Sequence, residues 1–422
     1  MEEINLDCLV LIINILEYDK KSLHSCLLVN KKWCNIVVPI LWRKYSLYSI
    51  NEKLCNVILS FLPSSSKKLL SDNDIKLPPS TLLKFPLFNY ISFCRHLSSD
   101  KMNKIIDIVL KNFCNDHRRN LMEQEIYKLF ISQCKNIEYL CWTTHQPLTL
   151  FPRASIFFSQ SIIYRNLKEL NIYTEIDEKT GKELSKALAR NRTIINDLHL
   201  NSIYNIVLSS LTTLVNLKKL TIFHWENYEK IQQYLAIYEF PNLQDLTLID
   251  DHLLSFKEIS LLIEKTIGNI TRIHIITTNK TAKEAGILIK AISDNCPKIN
   301  DLRTYIEPKD FIYIKSLLLN CRSLNAISLN SLEFFINEND NNIGDELLNI
   351  FISFSPKSLN SIFISGFWKY SIDTFTQFFE SFREQPLYCF GINDRDNYYI
   401  TNYHKIIVKK YTNEGVVKCS YI

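Results

Sequence analysis

Twelve cysteines and nine histidines carry most of the potential chemistry in this sequence. Thiols and imidazoles can hold zinc, build a disulfide framework, or pair as nucleophile and base. Spacing favours none of these. There is no C-x-x-C pair, no H-E-x-x-H and no H-x-x-x-H at helical spacing, so no metal is expected. Several cysteines sit inside apolar runs, such as Cys26 in HSCLLV and Cys141 in IEYLCW. There a thiol acts as a small hydrophobe. The cysteines therefore read as reduced, structural residues of a cytoplasmic or nuclear chain. A Cys–His pair could still meet in space, and no spacing singles one out.

Phosphate chemistry is disfavoured by glycine. The seven glycines in 422 residues (Gly181, Gly268, Gly286, Gly344, Gly366, Gly391 and Gly415) form no G-x-G-x-x-G, no G-x-x-x-x-G-K-[ST] and no G-x-S-x-G. A phosphate-cradling loop needs glycine for close backbone approach. A net charge of +5 is too small over this length to argue for nucleic acid or an anionic membrane. Apolar residues at 46% and charged residues at 22% are ordinary globular usage. The apolar run at residues 8–16 follows Glu2, Glu3 and Asp7 with no basic residue, which argues against a secretory signal. No run reaches the roughly 18 apolar residues of a membrane span. A soluble, intracellular protein without cofactor is the expectation.

The elements that position these residues begin with a small helical module. In residues 4–16, Ile4, Cys8, Leu9, Ile12, Ile13 and Leu16 recur at three- and four-residue steps, with Asn5 or Asp7 near the cap. Leu6, Val10, Leu11 and Ile15 make the helix apolar almost all round, so it needs cover on more than one side. Two short helices follow: Lys21–Val29, entered through Asp19, and Lys31–Val38, expected to end near Pro39. They leave excess apolar surface, to be covered by a partner or by the rest of the chain.

This stretch resembles an F-box. Ile4, Asp7, Cys8, Leu9, Ile12, Ile13 and Leu16 fall on the family's first block, with Asn5 where it has proline and Asp7 where it has glutamate. Ser22, Leu23, Cys26, Val29, Asn30, Lys31 and Trp33 fall on the second block, and Leu41 with Trp42 on the last. The segment is similar to the F-box/leucine-rich-repeat proteins abundant in some fungi. The resemblance implies that the trio docks on a Skp-type adaptor, and through it on a cullin ubiquitin ligase, by a helix-in-groove contact. The implied adaptor-binding residues are Leu6, Cys8, Leu9, Ile12, Ile13, Leu16, Leu28 and Trp33. Trp33 and Trp42 also read as plain core.

Residues 49–134 read as a helical connector. Helical patterns lie at 49–62, around 100–115 and at 121–133, and a mobile segment is expected at 63–80 between Pro63 and Pro78-Pro79. From 135 to 422 the chain repeats. Ten L-x-x-L-x-L-like cores begin at Ile137, Leu167, Ile195, Leu217, Leu243, Ile270, Ile299, Leu324, Leu359 and Leu387, on average about 28 residues apart. That period is one of leucine-rich repeats. Helical patterns lie between cores at 178–190, 226–238, 281–294, 345–353 and 372–383, and an insertion is expected near 331–345. The fold class is therefore α/β: a helical module and connector (1–48, 49–134), then a curved solenoid (135–422) with parallel strands on the concave side and helices on the convex side. The Asn or Cys that closes the turn in that family is missing from every copy.

Period-two alternation turns the residues flanking the second leucine of each core outward. Charges concentrate there from 169 to 303, and the target-binding candidates are Glu169, Asn171, Asp197, His199, Lys219, Asp245, Arg272, His274, Asp301 and Arg303. The carboxylates form a spaced ladder and not an acid/base pair. The expected function is substrate recognition in a Skp–cullin–F-box ligase without catalysis. The alternatives are a repeat scaffold with no ligase role and an enzyme using a cleft in the connector.

Overall fold

The computed structural model describes residues 5–44, 50–78, 86–111, 117–134, 136–142, 166–172, 178–201, 211–223, 234, 237–251, 253, 255–279, 281–331, 343–366, 368–392 and 400–421. The chain divides into two compact units, Met1–Ile195 and Asn196–Ile422. The sequence placed its boundaries at 48 and 134; the first unit takes in module, connector and the first repeats together.

In the first unit, α1 (Leu6–Ile15), α2 (Lys20–Leu27) and α3 (Lys31–Lys44) form a trio. Its core is Leu9, Ile13, Leu23, Cys26, Val37 and Ile40, with Leu16, Leu27, Trp33, Ile36 and Leu41 packed against them. Each helix starts at a side-chain cap. Asn5 Oδ1 accepts from the Asp7 N–H at 3.0 Å, Asp19 Oδ1 from Lys21 and Ser22 at 3.1 and 3.2 Å, and Asn30 Oδ1 from Trp33 at 2.9 Å. Such caps satisfy amides that the helix itself leaves unpaired. Pro39 does not end α3, which runs through it to Lys44. Its ring removes one backbone bond, while Val37, Val38 and Ile40 beside it are buried and hold the helix in place.

Trp42 near the end of α3 stacks on Tyr90, with centroids 4.4 Å apart. Helices α4 (Glu52–Ser60), α5 (Ser64–Asp72), α6 (Ser99–Leu110) and α7 (His117–Gln133) make up most of the connector. The expected mobile segment 63–80 is thus helical over much of its length. Pro63 sits at the N-cap of α5, where its missing N–H costs nothing, and Ser66 and Leu70 are buried. Residues 79–80 lie outside the described residues.

Strands β1 (His96–Ser98), β2 (Tyr139–Trp142) and β3 (Glu169–Ile172) pair in parallel in the same unit, and α8 (Glu178–Arg190) follows.

The second unit contains an open parallel sheet in chain order. Its strands are β4 (Asp197–Asn201), β5 (Lys219–Phe223), β6 (Asp245–Ile249), β7 (Arg272–Ile276), β8 (Asp301–Tyr305), β9 (Ala326–Asn330), β10 (Ser361–Ser365), β11 (Leu387–Ile392) and β12 (Val417–Tyr421). Between them run α9 (Lys257–Glu264), α10 (Ala285–Asn295), α11 (Phe311–Asn320), α12 (Ile343–Phe354), α13 (Ile372–Ser381) and α14 (Asn402–Asn413), each packed on the next. All ten predicted cores are strands. Two more, β1 and β12, escaped the pattern, as did helices α9, α11 and α14. Most of the expected helix at 226–238 and of the insertion near 331–345 lies outside the described residues.

The repeats are locked in register by a carbonyl ladder. From β4 to β10 the residue before the strand accepts two N–H groups from the next repeat: Asn196 O takes those of Lys218 and Lys219 at 2.8 and 2.9 Å, and Asn325 O those of Asn360 and Ser361 at 2.9 and 3.1 Å. Inward residues Leu198, Leu220, Leu246, Ile273, Leu302, Ile327, Ile362 and Phe390 are all at most 1% exposed. Burial of each contributes about 1.5–3 kcal/mol. One turn shows a substitute for the missing Asn. The Tyr305 hydroxyl accepts from the Thr277 N–H at 3.0 Å and donates to the Thr277 carbonyl.

Candidate functional site: an apolar helix face and an ion ladder

Helix α1 carries two apolar stripes at helical spacing. Leu9 and Ile13 face the trio core at 1% and 0% exposure, while Cys8, Leu11, Ile12 and Ile15 face outward. Leu11 and Ile15 are 65% and 81% exposed, and Leu28 at the end of α2 is 88% exposed, with Val29 beside it also open. The residues named from the sequence divide between core and surface. Leu9 and Ile13 are buried in the module's core, and Leu16 and Trp33 are half-buried against it. Leu6, Cys8, Ile12 and Leu28 remain exposed. Leu11, Ile15 and Val29, outside that set, are exposed as well. Their apolar character was visible, but spacing alone does not say which stripe faces the core.

The outward charges of the second unit fall into one row because parallel pairing stacks equivalent residues. Asp197, Lys219, Asp245, Arg272 and Asp301 are successive register partners, alternating in sign. Lys219 Nζ lies 3.3 Å from Asp197, and Arg272 reaches Asp245 at 2.8 Å and Asp301 at 3.4 Å. His199 and His274 from the next outward row reach back to Asp197 and Asp301 at 3.1 and 3.0 Å. Burial pushes the Asp197 and Asp301 carboxyls up. The hydrogen bonds from His199 and His274 and the charges around them outweigh it and hold both below the usual carboxylate value.

A His–Asp couple is part of a hydrolytic relay, but here each carboxylate is also held by Lys219 or Arg272. The row is a self-complementary ion ladder rather than a set of free charges. Arg303 is exposed at the end of the second row, in register with His274 and Ser328. In the first unit Asn171 Nδ2 donates to Tyr139 Oη and Glu169 Oε1, both at 3.2 Å.

The connector holds a cleft of about 610 Å³, lined by charges of both signs including Glu52, Asp74, Lys76, Lys111 and Arg118. Among the described residues no helix is long and apolar enough to cross a membrane.

No family model and no curated protein matches this sequence. Among solved structures, the chain is similar to the complex of Rad7 and Elc1 in yeast, at 14% identity and a TM-score of 0.39. That match covers 95% of this chain and 96% of that one. A protein from Bacteroides fragilis matches at 12% identity and a TM-score of 0.31, over 85% of this chain and 81% of that one. At TM-scores this low neither likeness adds to what the geometry says.

Proposed function

We propose that this chain is a non-catalytic substrate-recognition subunit of a Skp–cullin–F-box type ubiquitin ligase. Helix α1 would dock on a Skp-type adaptor, and the outward face of the repeat strands would hold a protein target. The observation that carries the reading is the second stripe of α1. A helix already anchored by Leu9 and Ile13 still presents Cys8, Leu11, Ile12 and Ile15, flanked by Leu28 and Val29. An apolar face of this kind fits a helix-in-groove contact.

The repeat face would supply recognition with modest charge, because its ladder is already neutralised internally. Its role would be positional: it raises the effective concentration of a target near the ligase. The matching test is co-purification of the full chain with a Skp-type adaptor. The chain should retain it, and a Leu11→Asp, Ile15→Asp variant that stays folded should not. Equal recovery with both chains, or none with either, contradicts the reading.

A further inference from the structure

Eleven cysteines lie among the described residues. Most are sealed in cores. Burial pushes the Cys55, Cys296 and Cys321 thiols up to about 12, and Cys94 and Cys134 donate to buried backbone carbonyls of His96 and Ile91, each at 3.2 Å. Cys389 and Cys419 differ. They are direct register partners on the neighbouring strands β11 and β12. Adjacent strands lie about 4.8 Å apart, inside the roughly 4.4–6.8 Å Cα separation that a disulfide spans. Register partners share a face, and here it is the outward one, where Cys389 continues the row of Ala326 and Ser361. Cys419 is half-exposed, while Cys389 is 6% exposed. Among the described residues β12 pairs with β11 alone, so it can shift slightly to bring the sulfurs together.

We propose that Cys389 and Cys419 are a reversible disulfide site, closed by a low-molecular-weight disulfide such as glutathione disulfide. The accessible Cys419 thiolate attacks one sulfur of glutathione disulfide. That S–S bond breaks, and the departing glutathione thiolate takes the proton Cys419 gave up. Cys389 then loses its proton and attacks the Cys419 sulfur of the mixed disulfide, releasing the second glutathione as thiol. The two protein thiols are oxidised by two electrons, and glutathione disulfide is reduced to two thiols. Burial pushes Cys389 up to about 11, which suits the second, resolving step better than the first attack. Closure ties the terminal strand and α14 to β11 and fixes this end of the outward face.

The test is incubation of the full chain in graded glutathione/glutathione disulfide mixtures, read by intact mass and by peptide mapping without reduction. The chain should lose two hydrogens and yield one peptide linking Cys389 to Cys419, reversed by dithiothreitol. The Cys389→Ser variant should instead hold one glutathione on Cys419. The proposal is overturned if the natively folded wild-type chain, as judged by circular dichroism, stops at a stable mixed disulfide. It is equally overturned if both thiols remain open to alkylation across the series.

Discussion

Thr304 is a polar intruder in an apolar row. It sits on β8, fully buried, in the inward row that elsewhere holds Leu248, Ile275, Leu329 and Ile364, and its hydroxyl has no hydrogen-bond partner. A buried hydroxyl left unpaired costs about 1–3 kcal/mol. Valine keeps the β-branched shape and removes the polar atom, so Thr304→Val should stabilise the second unit by about that amount. For a unit of about 230 residues each kcal/mol moves the melting midpoint by about 2–4 °C, giving a rise of about 2–12 °C. Thermal and urea unfolding of the full chain, followed by circular dichroism, measures this. The urea slope should not change, because the exposed surface is the same. The converse change in the next strand, Leu329→Thr, should lower the midpoint. An unchanged or lower midpoint for Thr304→Val would show that the hydroxyl is satisfied in solution and refute the reasoning.

Three further outcomes are expected. Reversing Arg272 to Glu turns two ladder attractions into repulsions with Asp245 and Asp301. It should cost about 1–3 kcal/mol in urea unfolding, with the loss shrinking in ~0.5 M salt. Leu9→Ala should destabilise the first unit by about 2–5 kcal/mol, whereas Ile15→Ala should stay within about 0.5 kcal/mol. His404 on α14 accepts from the Thr401 N–H at 3.1 Å and donates from Nε2 to the Tyr370 carbonyl at 3.1 Å. It packs against Phe375, and Asp345 is the charge facing it. Burial depresses its proton affinity below the ordinary value of about 6.5, despite the opposing pull of that carbonyl and of Asp345. The unfolded chain therefore binds the proton first. Stability should be full above pH ~6.5, fall as pH drops toward the folded value and then level off, with His404→Gln flattening that limb.

Much of the fold was legible because a repeat writes its period into the sequence. Each of the ten cores became a strand, since Leu198, Leu220 and their equivalents must all point to one shared interior. What escaped is where local pattern and packing disagree. Strand β1 is three residues long, too short to show alternation. Strand β12 reads VKCSY, with the polar Ser420 where the other repeats place leucine, isoleucine or phenylalanine. Pro39 and the Ser64–Ser66 run looked like breaks, yet buried neighbours hold one helix and Pro63 opens the other.

The candidate sites were legible in composition more than in role. Residues 9, 13 and 11, 15 stand on opposite sides of a helix apolar on both, so only the packed trio tells core from surface. The ladder charges were read as recognition groups one at a time. Their pairing appears only once parallel register sets Asp197 beside Lys219 and Arg272 between two aspartates.

The most direct test of the account is the affinity of the purified full chain for a Skp-type adaptor, measured by titration calorimetry alongside the Leu11→Asp, Ile15→Asp variant. Tight one-to-one binding that weakens by ~100-fold or more in a variant with an unchanged melting midpoint is the predicted result. A folded wild-type chain that does not bind, or a variant that binds as tightly, would contradict it.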